Sequence, residues 1–110
     1  MALPAADLET NRKPHPSKVH AWAQAWQHVA DQSGNPEHHA LAARASFKAA
    51  KYHSVFGKPE DALHCWQRGL HHHQQATKAG HADGTMQEVN DMLPALKRHM
   101  NEVQEAGSGW

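Results

Sequence analysis

Cysteine is almost missing from this chain. Cys65 stands alone, so no disulfide can close within it, and a reducing compartment, the cytoplasm, is the expected setting. Net charge is missing as well: eleven Lys and Arg are matched by eleven Asp and Glu. A neutral chain lacks the electrostatic footprint of a nucleic-acid binder, so nucleic acid is not an expected partner. No apolar stretch approaches membrane-spanning length, and residues 1–18 hold no apolar run long enough for a signal peptide. A soluble protein with no membrane partner is expected. Aromatic residues make up only 6% of the chain, and much of its 39% hydrophobic content is Ala, so the core must be thin and built from closely packed helices. No Gly-rich phosphate loop and no Ser/His/Asp arrangement is present. At 110 residues the chain has room for one domain and one core.

The charge that is present is uneven. Residues 36–82 carry six Lys or Arg against three Asp or Glu, while residues 83–110 carry two against five. A basic middle and an acidic last helix can attract each other within the fold or can mark a polar partner surface. Histidine is abundant, with twelve copies. Imidazole titrates near neutrality, so a fall from about pH 7.5 to about 5.5 can add roughly ten positive charges.

Proline and glycine punctuate the chain. Residues 1–16, with Pro4, Pro14 and Pro16 and no apolar periodicity, read as a flexible arm, with Ser17 as a possible cap. Val19, Trp22, Trp26, Val29 and Ala30 recur at helical spacing and predict a first helix over 18–33. Gly34 ends it, and Asn35-Pro36-Glu37 supplies a cap, an N1 proline and a first-turn acid for a second helix over 36–56. That helix carries Leu41, Ala45, Ala49, Tyr52 and Phe56 on one face and Ala43, Phe47, Ala50 and Ser54 on another, with Arg44, Lys48 and Lys51 between them. Two faces of small residues place it centrally. Gly57 is a left-handed stop, and Pro59-Glu60-Asp61 opens a third helix over 59–79. Its expected buried face is Ala62, Leu63, Trp66, Leu70 and Thr77, with His73 also inward. Gly80 ends it. Thr85 and Glu88 match a capping box for a fourth helix over 86–106, whose Met86, Val89, Leu93, Leu96, Met100 and Val103 alternate by three and four. That seam serves the chain's own core or a homodimer. Pro94 predicts a kink near 90–94. Gly107 to Trp110 has the composition of an added, flexible tail. The expected fold is all-α: an antiparallel four-helix bundle over 17–106, up-down in topology because the connections are short.

The hairpin from Leu41 to Leu70 resembles a single tetratricopeptide repeat. The matching residues are Ala50, Gly57, Pro59-Glu60-Asp61, Ala62-Leu63, Trp66, Gly69 and Leu70. The pattern departs at Gln74, where a repeat-closing proline is usual, and a shift of 34 residues finds no second copy. A lone repeat cannot bury its own faces, so the first and fourth helices would have to cap it. The resemblance implies peptide or protein binding without chemistry.

Enzyme and metal readings stand beside it. Arg68 and His73 have the Arg-x4-His spacing of small four-helix ribonucleases of the HEPN type, in which the Arg would stabilise phosphate charge and the His would act as acid or base. On an unbroken helix these two side chains point about 140° apart, and Gly69 stands where that family favours a polar residue. Four Arg, three allowed spacings and about one His in nine residues give roughly one match to such a motif by chance. For metals, no two histidines stand three or four apart, so no single helix chelates an ion through them. His71, His72 and His73 are consecutive and are expected to point too far apart to share one. A site would need ligands from several helices. Beside Cys65, His64 is expected to point elsewhere and His72 lies about two turns on, roughly 10 Å along the axis, so Cys65 is expected to be a half-buried packing residue and not a nucleophile. No metal or other cofactor is expected. The function expected is binding of another protein or peptide, as an adaptor, a chaperone-like module or an inhibitor. The contact residues would be Arg44, Lys48 and Lys51, any unburied part of the Trp22/Trp26 face, and the fourth helix.

Overall fold

The computed structural model describes residues 15–108. Among them are four helices and no strand: α1 (Pro16–Ser33), α2 (Pro36–Val55), α3 (Pro59–Lys78) and α4 (Gly84–Ser108). Cross-helix contacts fix their directions. His20 lies beside His53 and Gln27 bonds Ser46, so α1 runs against α2. Phe47 meets Gly69 and His39 meets His72, so α3 runs against α2. Arg44 meets Glu88 and Ser54 meets His99, so α4 runs with α2. The result is the expected up-down-up-down bundle.

Helix α2 touches all three others. Its alanines explain why. Ala40, Ala42, Ala43, Ala45, Ala49 and Ala50 are all at most 1% exposed, and a methyl side chain lets a neighbouring backbone come close and gain dispersion contacts. Phe47 is the largest side chain buried completely. Its ring lies so close to Gly69 that a Cβ there would stand 2.5 Å from it. Trp66 closes the other side of that ring at 5.2 Å between centroids. The α2–α3 hairpin is thus zipped by a glycine on one helix and an aromatic on the other.

The breaks fall where glycine and proline place them. At Gly57 φ is +75°, a left-handed value that side chains disfavour, and the Lys58 N–H returns to the His53 carbonyl at 2.8 Å. Asn35 caps α2 through its Oδ1, which accepts from the Glu37 N–H at 2.9 Å.

Several details differ from the sequence reading. Helix α1 is capped by His15, whose Nδ1 accepts from the Ser17 N–H at 3.2 Å, and it starts at Pro16, inside the stretch expected to be an arm; the rest of that arm lies outside the described residues. Helix α4 starts at Gly84 because Asp83, not Thr85, is its cap: Asp83 Oδ1 accepts from the Met86 N–H at 2.9 Å. Helix α4 also continues to Ser108, so the first half of the expected tail is helical, while residues 109–110 lie outside the described residues; Pro94 lies inside the helix. Pro94 and Asn90 are both exposed, so the carbonyl that loses its donor can turn to water.

The largest difference is the rotation of α3. Its buried stripe is Ala62, Cys65, Gly69, His72 and Ala76, while Leu70 is 39% exposed and Thr77 is exposed. The Ala-rich wall of α2 accepts the small side chains of α3, and the bulky Leu63 and Trp66 pack from the flank. Phe56, expected within α2, is its C-cap residue and is 47% exposed. The α4 seam is spent inside the chain: Met86, Val89, Leu96 and Met100 are at most 5% exposed. The other two seam residues, Leu93 and Val103, are partly buried against the same core. No helix of the described residues is long and apolar enough to cross a membrane.

Candidate functional site

The predicted contact residues separate into three settings. Arg44 Nε donates to Glu88 Oε2 at 2.8 Å, and Lys48 Nζ stands 3.4 Å from Glu88 Oε1. The basic edge of α2 is thus drawn to the acidic α4 within the fold. Partial burial pushes the Glu88 carboxyl upward, but the Arg44 hydrogen bond and charge, with Lys48, outweigh it and hold the group below the ordinary carboxylate range. Trp22 is 3% exposed and packs on Ala45, with Trp26 half-buried against the same pair. Its ring is core. Lys51 is exposed and stands at the mouth of an apolar groove.

That groove lies between the end of α2 and the middle of α4. One part, about 230 Å³, is lined by Lys51, Val55, Met92, Ala95, Leu96 and His99. An adjoining part, about 370 Å³, shares Lys51, Val55 and Met92 and adds Lys48, Tyr52 and Phe56. Val55 is 64% exposed, and Phe56 lies on the Tyr52 ring at 4.5 Å between centroids. His99 is held at the rim by Ser54, 2.7 Å from Nε2. No carboxylate lines the groove among the described residues. Sequence reasoning reached Lys48 and Lys51 but missed Val55, Phe56, Met92 and His99. The signal available was the pair Val55-Phe56 directly before the Gly57 stop, two large apolar residues at the end of the helix.

The ribonuclease-type pair is not brought together. Helix α3 is continuous through both residues, Arg68 is exposed, and His73 Nε2 is engaged with Asn90 Oδ1 at 2.9 Å on the α4 side.

The histidines sort to the two ends of the hairpin. At one end His39 and His72 share a hydrogen bond between their Nδ1 atoms at 2.8 Å, one donating and the other accepting. His72 is 1% exposed. Burial, opposed by Asp31 and reinforced by His39, His71 and Arg68, pushes it down to about 4. Asp31, His71 and His72 place ligand atoms within 4.8 Å of one another. This corrects the expectation that consecutive histidines diverge too far to share an ion: side-chain length lets the His71 and His72 rings converge, with centroids 5.2 Å apart. Asp31 and His71 are nevertheless exposed, and His72 Nδ1 is already occupied by His39.

At the other end His20, His53 and Cys65, from α1, α2 and α3, also gather ligand atoms within 4.8 Å. His53 is 1% exposed, and neither of its ring nitrogens has a hydrogen-bond partner among the described residues. Burial lowers its pKa, with Asp61 opposing and His20 and Lys58 reinforcing. Cys65 is buried, fully rather than by half as expected, and desolvation with the Asp61 charge pushes its thiol up to about 11. An open pocket of about 530 Å³ reaches this cluster between His15, Ser17, His20, His53, Lys58 and Asp61.

Comparison with protein-family models, with curated proteins and with solved structures finds no match for the chain.

Proposed function

We propose that the chain is a protein-interaction module that seats an acidic amphipathic helix of another protein in the groove between α2 and α4. The observation that carries this reading is the exposed Val55-Phe56 pair, continuous with Met92 and Leu96. Large apolar side chains gathered at an open groove are the mark of a binding face. The rim supplies the charge preference: Lys51 is exposed at its mouth and no carboxylate lines either part among the described residues, so an acidic flank on the incoming helix is favoured. The resemblance of α2–α3 to a tetratricopeptide repeat supports the same class of activity. The divergence of Arg68 and His73 weighs against ribonuclease chemistry. The cytoplasm is the compartment that the single unpaired cysteine favours.

The test uses the full chain as bait, in wild-type form and as Val55→Asp/Phe56→Asp, Lys51→Glu and Arg68→Ala. A protein captured by wild type is purified and titrated against each. Loss of two apolar anchors should weaken binding by about 30-fold or more, the equivalent of a hot-spot loss of about 2 kcal/mol. Lys51→Glu and added salt should weaken it less, and Arg68→Ala should leave it unchanged. Equal affinity for the double variant would overturn the reading. Labelled RNA cut by wild type but spared by Arg68→Ala and His73→Ala would replace it with the ribonuclease.

A further inference from the structure

We propose that His20, His53 and Cys65 form a binding site for a thiophilic transition-metal ion, and that zinc is the ion this donor set fits best. Three separate helices converge on the point, so the cluster is a product of the tertiary fold and not of one helical repeat. His53 provides the independent sign. A buried imidazole with both nitrogens unmet forfeits the hydrogen bonds it made to water, and native interiors rarely leave such a group without a partner. A coordinated ion would satisfy one nitrogen at once.

The donors select the class of ion. Two imidazoles and a thiolate suit borderline and soft cations, and they exclude calcium and magnesium, which take oxygen ligands. Zinc–nitrogen and zinc–sulfur bonds place tetrahedral ligands about 3.3–3.6 Å from one another. The present spread of up to 4.8 Å therefore has to close by roughly an ångström, which small side-chain rotations supply. Three protein ligands leave one position. It opens on the 530 Å³ pocket, where a water can enter and Asp61 stands at the wall. Charge is compatible: the Cys65 thiolate and Asp61 together offset a divalent cation, against Lys58 on the same wall. On binding, the sulfur–hydrogen bond breaks, the electron pair stays on sulfur to form the metal–sulfur bond, and the proton leaves to solvent through the pocket.

The experiment strips the full chain with a chelator and titrates it with Co²⁺ as a spectroscopic probe, then displaces the probe with Zn²⁺. One Co²⁺ per chain should bind with a thiolate-to-cobalt charge-transfer band in the near ultraviolet and the intense visible bands of a tetrahedral ion. Cys65→Ser should abolish the charge-transfer band. His20→Ala and His53→Ala should each weaken binding by roughly a hundredfold or more, since even outer partners of a metal ligand are worth ten- to a hundredfold. His71→Ala, at the opposite end of the hairpin, should change nothing. Circular dichroism checks that each variant keeps its helices. A measurement on wild type alone guards against an unfolded variant: Zn²⁺ should slow maleimide alkylation of Cys65 at least tenfold. Co²⁺ bound with no charge-transfer band, or alkylation indifferent to Zn²⁺, would overturn the site and leave only adventitious binding by surface histidines.

Discussion

Gly69 and Phe47 decide how close the two central helices can come. A methyl at position 69 would stand 2.5 Å from the Phe47 ring, and that ring is held in place by Trp66. Gly69→Ala gains about 1 kcal/mol of helix propensity but suffers overpacking of about 1–3 kcal/mol. A net loss of up to about 2 kcal/mol is expected, seen as a fall in Tm of up to several degrees; a raised Tm would mean that the hairpin is looser than described. His72 makes a second residue-level prediction. Its folded-state pKa of about 4 lies below the unfolded value near 6.5, so between these limits the unfolded chain binds the extra proton. Stability is therefore complete above about pH 6.5 and is lost as pH falls toward 4. At pH 5 the loss from this group alone is about 2 kcal/mol. The charges facing it are Asp31, which softens the effect, and His39, His71 and Arg68, which sharpen it. Urea denaturation at pH 7 and pH 5, with chelator present, measures the slope, and His72→Gln should flatten it.

Helix α4 is tied to α2 by charge as well as by its apolar seam. Glu88 serves both Arg44 and Lys48 but is itself about half exposed, so water screens the pairing. Glu88→Gln should cost no more than about 1 kcal/mol, and the difference from wild type should shrink with salt; thermal melts at low and high ionic strength check it. The attraction between a basic middle and an acidic last helix was legible in the charge counts. The helix ends were legible too, because Gly57 and the Asn35-Pro36 start act through backbone geometry that needs no tertiary information. The rotation of α3 was not. Following the bulkiest apolar residues pointed Leu70 and His73 inward, yet the stripe Ala62, Cys65, Gly69, His72, Ala76 keeps a strict three-four spacing and consists mainly of small side chains. A wall of alanines selects small residues opposite it, so size matching carried more information than hydrophobicity. The candidate sites were hidden for another reason. His20, His53 and Cys65 meet only once the registers of three helices are set, and no local pattern encodes that.

At the scale of the whole molecule, the fold has a spent face and an unspent one. Because the α4 seam is buried in the chain's own core, sedimentation of the full chain at micromolar concentration should show a monomer, and a dimer would mean that the apolar groove pairs with itself. The groove between α2 and α4 is the unspent face; replacing the mostly exposed Val55 should leave Tm nearly unchanged, while replacing Phe56, which rests on the Tyr52 ring, should lower it modestly. The proposed function places partner docking there. Nitrogen-15 amide spectra of the full chain, recorded as a captured partner is added, test it most directly. The perturbed amides should cluster at residues 48–56 and 92–99; a cluster on the outer surfaces of α1 and α3, with those two segments silent, would contradict the claim.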